Sequence, residues 1–333
     1  METHTVETFS SAAAEVAPRS AIFRPWFTAL MVTGLLMSAA GVPGNLLTIV
    51  AYLKHAQLRN PTNLLICSQT IGDLLTCLTG PIFFVLNYSE AGLVLASSYK
   101  YLCLIGLGTL MLSLQSSILN ILALSTERFI AVFFPYDYYS WITETKVKIV
   151  VAVIWSSVLV INFLPFFGWD TWSPDGYCMA TRVYSPIFSQ FIYLLPCAIC
   201  LLISAVQNIL IGGMAAKKQR SVVPVAAQGN QESADDGAAR KSQFKVTKML
   251  LQVVGVFYIS WMPQIITNVL LINPPISWRQ NGIPEWYYVM NEWAKPAMMI
   301  NAIANPFIYA FKNVHYRTAY FKILGIKTNE VEP

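Results

Sequence analysis

One uncharged segment limits what this chain can fold into more than any other feature. No charged residue lies between Leu102 and Glu127, and a helix of that length crosses the roughly 30 Å hydrocarbon core of a membrane. Glu127 and Arg128 follow directly at its end. Ionisable residues at that depth are costly and are usually kept for a function, although an arginine also extends to a membrane surface without one. The segment therefore predicts a membrane helix with a candidate functional ion pair at one end.

The composition extends this prediction to the whole chain. Of the 333 residues, 55% are hydrophobic and only 12% are charged, whereas a soluble domain has about 25% charged residues. The net charge of +5 comes from Lys and Arg residues in a few short connections. They form no basic face interleaved with aromatic residues, so we expect no nucleic-acid partner. The chain is predicted to be an integral membrane protein.

Seven apolar segments are each long enough to cross a membrane as a helix. They cover residues 26–53, 60–86, 99–133, 145–168, 185–214, 244–272 and 286–311. Alternating strands with short turns, which a membrane β-barrel requires, do not occur in the sequence. The predicted fold class is therefore all-α, with a seven-transmembrane helix bundle over residues 26–311.

The basic residues predict the orientation of the bundle in the plasma membrane. Most Lys and Arg residues follow the first, third, fifth and seventh spans, and the positive-inside rule places those connections in the cytoplasm. We expect an extracellular N-terminal tail, residues 1–25, without a cleavable signal segment. Residues 216–242 predict a flexible cytoplasmic loop. Residues 312–333 form the cytoplasmic end, where Phe311 to Leu324 predicts an amphipathic helix on the lipids of the inner leaflet.

The cysteines and histidines limit the chemistry of the chain. Cys103 and Cys178 lie at the outer ends of spans, in the oxidising compartment, and predict a disulfide that holds the second outer loop to the third span. The other four cysteines lie inside spans and are typical packing residues. The three histidines are too scattered for a metal site. No hydrolase-like group of serine, histidine and aspartate converges, so we expect no enzyme.

Polar residues inside the predicted spans mark candidate sites, because each one needs a partner within the membrane. Asp73 is the only acid in the second span, and Ser117 lies at the same depth in the third. Polar and aromatic residues also share faces of the last two spans at three- and four-residue spacings. They are Phe257, Trp261, Gln264 and Asn268 in the sixth span, and Asn301, Asn305 and Tyr309 in the seventh.

Together these landmarks resemble the rhodopsin-like (class A) family of G-protein-coupled receptors over residues 26–325. The resemblance lies in their order and depth, with one set in each span. The residues that carry it are Gly44-Asn45, Asp73, Cys103 with Cys178, Glu127-Arg128-Phe129, Trp155, Pro196, Phe257 with Trp261-Met262-Pro263, and Asn305-Pro306 with Ile308-Tyr309. The resemblance implies a receptor that activates a heterotrimeric G protein when an extracellular small ligand binds.

The resemblance also implies three groups of switch residues. Coupling falls to Glu127, Arg128, Asn305, Pro306 and Tyr309; Glu127 holds Arg128 at rest, and Tyr309 moves toward Arg128 on activation. The core switch, which repacks as the sixth span moves outward, falls to Ile118, Pro196, Phe257 and Trp261. An allosteric sodium site falls to Asp73, Ser117, Trp261, Asn301 and Asn305. No other metal or cofactor is expected.

Two departures from the family pattern concern the resting state. Ser204 stands where the family has a tyrosine in the fifth span, which removes one partner for Tyr309 in the active state. Gln243 stands where an acidic residue often holds Arg128 from the base of the sixth span. We therefore expect an inactive state that is less firmly held.

The expected ligand pocket is mostly apolar and contains a few amides. Its residues are Leu110, Met111, Leu114, Gln115, Phe188, Tyr193, Gln264, Asn268, Lys295 and Met299. Leu110 stands where amine receptors of this family carry an aspartate, which argues against an amine ligand. Gln115 and Asn268 match pocket positions of the adenosine receptors. Such a pocket suits a small apolar or purine-like ligand.

Two alternative functions remain open at this point. Met299 stands where opsins carry the lysine that holds retinal, but Lys295 lies one helical turn away on the same face. An opsin-like light receptor would therefore need an atypical retinal attachment, and retinal is not the expected cofactor. The ordinary role for Lys295 is an ion pair with Glu292, three residues earlier. The second alternative is a seven-helix scaffold that does not signal, because the motifs permit signalling without proving it.

Overall fold

The computed structural model describes residues 24–174, 178–221, 234–272 and 274–326. Seven long helices follow one another in these residues, and each corresponds to one predicted span. The fourth helix ends at Phe163, before the predicted end at residue 168, and the 3-10 helix Leu164–Phe167 follows it. The first to fourth spans are Trp26–Lys54, Pro61–Tyr88, Lys100–Phe133 and Glu144–Phe163. The fifth is Phe188–Leu194 continued by Leu195–Ser221, and the sixth and seventh are Ala234–Ile272 and Glu285–Lys312. The predicted all-α bundle is confirmed.

Shorter helices connect the spans and follow the last one. The short helices between the spans are Ala56–Leu58, Glu90–Ser98, Tyr138–Trp141, Leu164–Phe167, Ala180–Val183 and Ile276–Asn281. The C-terminal helix is Val314–Leu324, which begins where the Asn313 side chain accepts hydrogen bonds from the first free backbone N–H groups. It ends at Gly325, whose φ of 69° is a left-handed conformation that glycine adopts without strain.

Six of the described helices are long and apolar enough to cross a membrane by length and composition. The seventh span has 28 residues but a more polar composition, since it contains Glu292, Lys295 and several asparagines. It packs against the first, second and sixth spans, which surround its polar residues with protein. The outer surface of the bundle carries exposed aliphatic residues such as Ile209 (73% exposed) and Ile259 (76%), as a lipid-facing surface requires.

Close packing of the first span against the seventh depends on Gly44. A Cβ atom there would lie 3.0 Å from the Pro306 Cβ atom, so a larger residue would push the helices apart. The adjacent Asn45 donates from Nδ2 to the Ala302 backbone oxygen at 2.9 Å. A buried amide in the first span needs such a partner from a neighbouring helix, and the structure supplies it.

The connection between the fifth and sixth spans is shorter than we predicted. Residues 216–221 and 234–242 of the predicted loop 216–242 are helical, and residues 222–233 lie outside the described residues. Alanine and lysine are frequent on both sides of that gap, and their high helix propensity extends the two spans beyond the apolar segments.

The outer face is held by the predicted disulfide, which is confirmed. Cys103 and Cys178 are bonded, with their Cα atoms 5.6 Å apart. An ion pair fixes the same loop to the same span, because Lys100 Nζ lies 2.8 Å from the Asp170 carboxylate. The second outer loop is therefore attached to the top of the third span at two points.

Candidate functional site

The inner end of the third span carries a buried ion pair. Glu127 and Arg128 are each only 2% exposed, and Arg128 donates from Nε to Glu127 Oε2 at 2.5 Å and from Nη2 to Oε1. Thr62 and Tyr138 donate their hydroxyls to Glu127 Oε1 at 2.8 and 2.5 Å. Arg128 Nη1 donates to Gln243 Oε1 at 3.0 Å. The arginine is thus held by groups from the second, third and sixth spans and from an inner loop.

Sequence reasoning missed Thr62 and Tyr138 as partners of this pair. Tyr138 lies in the short helix Tyr138–Trp141 of the second inner loop, where burial and the neighbouring Glu127 raise the pKa of its phenol to about 12. It therefore stays protonated at neutral pH and remains a hydrogen-bond donor to the carboxylate. Gln243 lies where we expected it, and its amide gives Arg128 an uncharged acceptor instead of a carboxylate.

The inner ends of the third, fifth and sixth spans are packed against each other beside Arg128. The space left between Arg128, Asn208 and Thr247 is a cavity of only about 10 Å³. Ser204 lies nearby, where its hydroxyl is 2.8 Å from the Ser125 hydroxyl, and Asn208 Nδ2 donates to the same Ser125 oxygen at 2.7 Å. Ser204 thus joins the fifth span to the third, and the inner face around Arg128 is closed.

Asp73 is the centre of a second buried polar group. Asn305 Nδ2 donates to Asp73 Oδ2 at 2.7 Å, and Ser117 Oγ donates to Oδ1 at 3.4 Å. Gln69, which sequence reasoning missed, donates from Nε2 to Oδ1 at 3.0 Å. It lies one helical turn before Asp73 on the same face, a spacing that could have identified it. Asn301 Oδ1 and Asn305 Oδ1 are buried and have no hydrogen-bond partner among the described residues.

The chemistry of these amide oxygens and of the Asp73 carboxylate suits a hard cation such as sodium. Hard cations prefer carboxylate, amide and hydroxyl oxygens as ligands, and this group offers all three. Trp261 makes no described hydrogen bond to Asp73. Its ring stacks instead on Phe257, with the ring centroids 4.9 Å apart.

The predicted core switch is only partly assembled. Ile118, Phe257, Trp261 and Tyr309 belong to one buried cluster, whereas Pro196 is exposed and lies outside it. The wide turn Phe188–Leu194, in which the Leu195 N–H donates to the Gln190 oxygen five residues earlier, explains the difference. Such a turn holds an extra residue and rotates the rest of the helix about its axis. As a result Cys197, the next residue, occupies the buried place.

Tyr309 lies at the bottom of this cluster and is fully buried. Its ring stacks on that of Tyr316 in the C-terminal helix, with centroids 5.4 Å apart, and its hydroxyl has no hydrogen-bond partner among the described residues. Tyr320 continues the contact to the first span, because its hydroxyl lies 2.6 Å from the Thr48 hydroxyl. Tyr309 of the seventh span is therefore packed against the C-terminal helix.

The apolar residues of the expected ligand pocket lie together in the outer half of the bundle. Leu110, Phe188 and Met299 are buried in an outer cluster, and Met111, Leu114 and Tyr193 pack against it. Gln115 is buried nearby, and its Oε1 accepts a hydrogen bond from Asn162 of the fourth span at 2.7 Å.

Lys295 makes the ion pair that we gave as its ordinary role. Its ammonium pairs with the Glu292 carboxylate and donates to the Tyr88 hydroxyl at 3.1 Å, while Tyr88 donates to Glu292. Gln264 Nε2 lies close by and donates to Asn268 Oδ1 at 3.1 Å and to Asn291 Oδ1 at 3.2 Å. Charged and amide groups from the second, sixth and seventh spans therefore meet at the outer end of the bundle.

Comparisons with known proteins agree with this architecture. The sequence model of the family described as 7 transmembrane receptor (rhodopsin family) matches residues 44–309. Melanopsin-B of Gadus morhua is 25% identical over 85% of this chain and 46% of its own length. The Gq-coupled rhodopsin of Mizuhopecten yessoensis is 22% identical over 88% of this chain and 58% of its own length.

A receptor that is named for adenosine, and is not an opsin, has a sequence identity to this chain in the same range. Human adenosine receptor A2b is 25% identical over 87% of this chain and 88% of its own length. The chain spans about half the length of the two melanopsins of Gadus morhua that it matches. At these identities the relatives agree on the architecture, and their names do not agree on a ligand.

Proposed function

The chain belongs to the rhodopsin family of seven-transmembrane receptors, and we propose that it converts binding of an extracellular small ligand into activation of a heterotrimeric G protein. It is thus a member of a family of membrane receptors, not of enzymes. The observation that carries the proposal is the closed arrangement around Arg128. This guanidinium is buried with Glu127, Thr62, Tyr138 and Gln243 at the end of the bundle that carries most of the basic residues.

Activation requires that these contacts open. Outward movement of the sixth span separates Gln243 from Arg128 and frees the guanidinium to meet a partner in the cytoplasm. The Tyr309 hydroxyl makes no described hydrogen bond in the closed arrangement. Movement of Tyr309 toward Arg128 would give this hydroxyl a hydrogen-bond partner, which favours the movement. The ligand supplies the bias by binding one arrangement more tightly than the other. We propose, from the distribution of basic residues, that the N-terminal tail, residues 1–25, lies outside the plasma membrane and residues 312–333 lie in the cytoplasm.

The ligand that the pocket suits best is small, non-aminergic and either apolar or purine-like. Leu110, Met299 and Phe188 provide buried apolar surface, while Gln264 and Asn268 provide amides. The similarity to melanopsins keeps an opsin-like light receptor as the second candidate. Against it, Lys295 is paired with Glu292 and Tyr88, which favours a structural role for this amine over a covalent one.

Expression in cells with G-protein biosensors tests the proposal. We expect ligand-independent activation of at least one G-protein subtype and a further rise with one member of a purine and lipid panel. The control is the same receptor in cells that lack the Gα subunits, where both signals should vanish. Silence with every ligand, even when a G protein is fused to the receptor, would favour a scaffold. An absorbance band of bound retinal in the purified protein would favour the opsin-like candidate.

We further propose that sodium binds at Asp73 and stabilises the closed arrangement. Asp73, Ser117, Asn301 and Asn305 would hold the ion, with Trp261 packed nearby. Its charge would compensate the Asp73 carboxylate, whose hydrogen-bond partners in the described part of the chain are the uncharged Gln69, Ser117 and Asn305.

Sodium dependence of stability tests this site. Purified wild-type receptor should melt at a higher temperature in sodium chloride than in choline chloride of equal ionic strength. In Asp73→Asn the two melting temperatures should coincide, because the amide removes the charge but keeps the size of the side chain. Ser68→Ala, on the same helix but directed to Trp155, is the control and should keep the sodium effect. A sodium effect of wild-type size in Asp73→Asn would refute the site.

A further inference from the structure

A chain of hydrogen bonds leads from the seventh span to the sixth in the outer half of the bundle. At one end, the Glu292 carboxylate accepts from the Lys295 ammonium and the Tyr88 hydroxyl on Oε2. Its other oxygen, Oε1, accepts from Asn291 Nδ2 at 3.2 Å. At the other end, Gln264 Nε2 donates to Asn291 Oδ1 at 3.2 Å.

The Glu292 carboxylate fixes the orientation of the side-chain amides of Asn291 and Gln264. An ionised carboxylate only accepts hydrogen bonds, so Asn291 must turn its Nδ2 toward Glu292. The Asn291 Oδ1 atom then faces the sixth span and can only accept a hydrogen bond, so Gln264 must donate to it from Nε2. The amide of Gln264 makes a second hydrogen bond in the same direction, to Asn268 Oδ1 at 3.1 Å, and its Nε2 also lies 3.3 Å from the Thr267 hydroxyl.

This order leaves one acceptor without a partner. Gln264 Oε1 is buried and has no hydrogen-bond partner among the described residues. A buried carbonyl oxygen without a hydrogen bond raises the free energy of the folded protein. A ligand donor that hydrogen-bonds to it removes this cost, which strengthens binding. Gln264 lies one turn outward from Trp261 on the same face of the sixth span, which is the face that the proposed ligand pocket uses.

The two charges beside these amides are already paired with each other. Lys295 and Glu292 neutralise each other, and the Lys295 ammonium also lies 5.8 Å from the centre of the Phe83 ring and 5.7 Å from that of Tyr88. A charged ligand would have to break this pair and leave one buried partner uncompensated, which is strongly unfavourable. An uncharged ligand avoids that cost.

We infer that the pocket selects an uncharged ligand with an apolar body and an N–H or O–H donor. Gln264 Oε1 accepts the donor, and Glu292, through Asn291, is the positioning residue that keeps this oxygen directed at the ligand. The inference rests on the proposed function, since it concerns the ligand of that receptor. It deepens the proposal by naming the polarity of the recognition and the group that sets it.

Two bicyclic probes of nearly equal shape, indole and benzofuran, test this polarity. Indole presents an N–H where benzofuran presents only an oxygen. Binding is measured from the rise in melting temperature of the full-length receptor in lipid nanodiscs across a concentration series. We expect wild type to bind indole about fivefold more tightly than benzofuran, which is the value of one ordinary hydrogen bond. Gln264→Met should bind both probes equally, because it keeps the length and removes the acceptor.

The role of Glu292 is tested with the double variant Glu292→Gln, Lys295→Met, which leaves neither charge unpaired. The side-chain amides of Asn291 and Gln264 can then rotate by about 180° and exchange their N and O positions. The ratio of indole to benzofuran affinity should therefore fall toward one, while benzofuran binding is kept. A merely structural role would instead weaken both probes by the same factor. Gln207→Met, which changes an amide near the inner face, is the matched control and should keep the preference.

Three results would overturn the inference. They are equal binding of the two probes to wild type, a preference for indole that survives Gln264→Met, and the absence of binding by either probe. The measurement needs no G protein. A receptor that prefers indole as expected but activates no G protein would therefore contradict the proposed coupling and leave the polarity of the site standing.

Discussion

Glu127→Gln is expected to raise ligand-independent G-protein activation about tenfold, and Arg128→Ala is expected to abolish activation. In the closed arrangement Glu127 holds the Arg128 guanidinium through Nε at 2.5 Å and through Nη2. A hydrogen bond to a charged group contributes about 1.5–3 kcal/mol, and each 1.4 kcal/mol changes an equilibrium about tenfold. The glutamine keeps the shape and loses the charge, so the closed state is weakened. Removing Arg128 deletes the group that we propose meets the G protein.

Gln243→Glu is the matched variant in the opposite direction. The Gln243 oxygen already lies 3.0 Å from Arg128 Nη1, so a carboxylate at that position adds an ion pair without a new contact. Ligand-independent activation should therefore fall below that of wild type. All variants are compared at equal surface expression with a biosensor of G-protein activation. If Glu127→Gln and Gln243→Glu change the signal in the same direction, the contacts around Arg128 do not hold the resting state.

The spans and the disulfide were predictable because they depend on properties of single segments. Uncharged length predicts a membrane helix wherever it occurs, and each of the seven predicted spans corresponds to one long helix among the described residues. Cys103 and Cys178 are the two cysteines at outer ends of spans, which leaves little choice of partner. The same local logic was wrong in extent for residues 216–242, where polar composition suggested a loop but helix propensity continues the spans.

The partners of buried polar residues were harder to predict, since they depend on how helices are rotated against each other. Asp73 and Ser117 were placed at one depth from the sequence, yet the contact of Asn305 with the Asp73 carboxylate depends on how the second and seventh spans are packed. Tyr138 reaches Glu127 only because the inner loop folds back under the third span. Asn162 and Gln115 meet across two spans, and the sequence gives no sign of this pairing.

Pro196 illustrates how one backbone irregularity changes a prediction made from position alone. A proline removes a backbone donor, and we expected only a local deformation at that point. The wide turn Phe188–Leu194 lies immediately before it and rotates the remainder of the fifth span. The exposed Pro196 and the buried Cys197 are consequences of this single turn. Hydrophobic periodicity averages over such turns and therefore does not reveal them.

The double variant Cys103→Ala, Cys178→Ala is expected to lose about 3–4 kcal/mol of stability. The disulfide closes a loop with a sequence separation of 75 residues, and constraining such a loop in the unfolded chain accounts for a loss of this size. The melting temperature of the purified receptor should fall by roughly 5–10 °C. Both cysteines are replaced together, because a single remaining thiol would be free to form a wrong disulfide.

Two comparisons separate the disulfide from the other attachment of the same loop. Lys100→Met removes the ion pair to Asp170, but this lysine is partly exposed, so its loss should cost only about 1 kcal/mol or less. Cys200→Ala replaces a free cysteine of the fifth span and should leave the melting temperature near that of wild type. Mild reduction of wild type should reproduce the double variant and leave the double variant itself unchanged. A melting temperature that stays the same after loss of both cysteines would mean that packing alone holds the second outer loop on the third span.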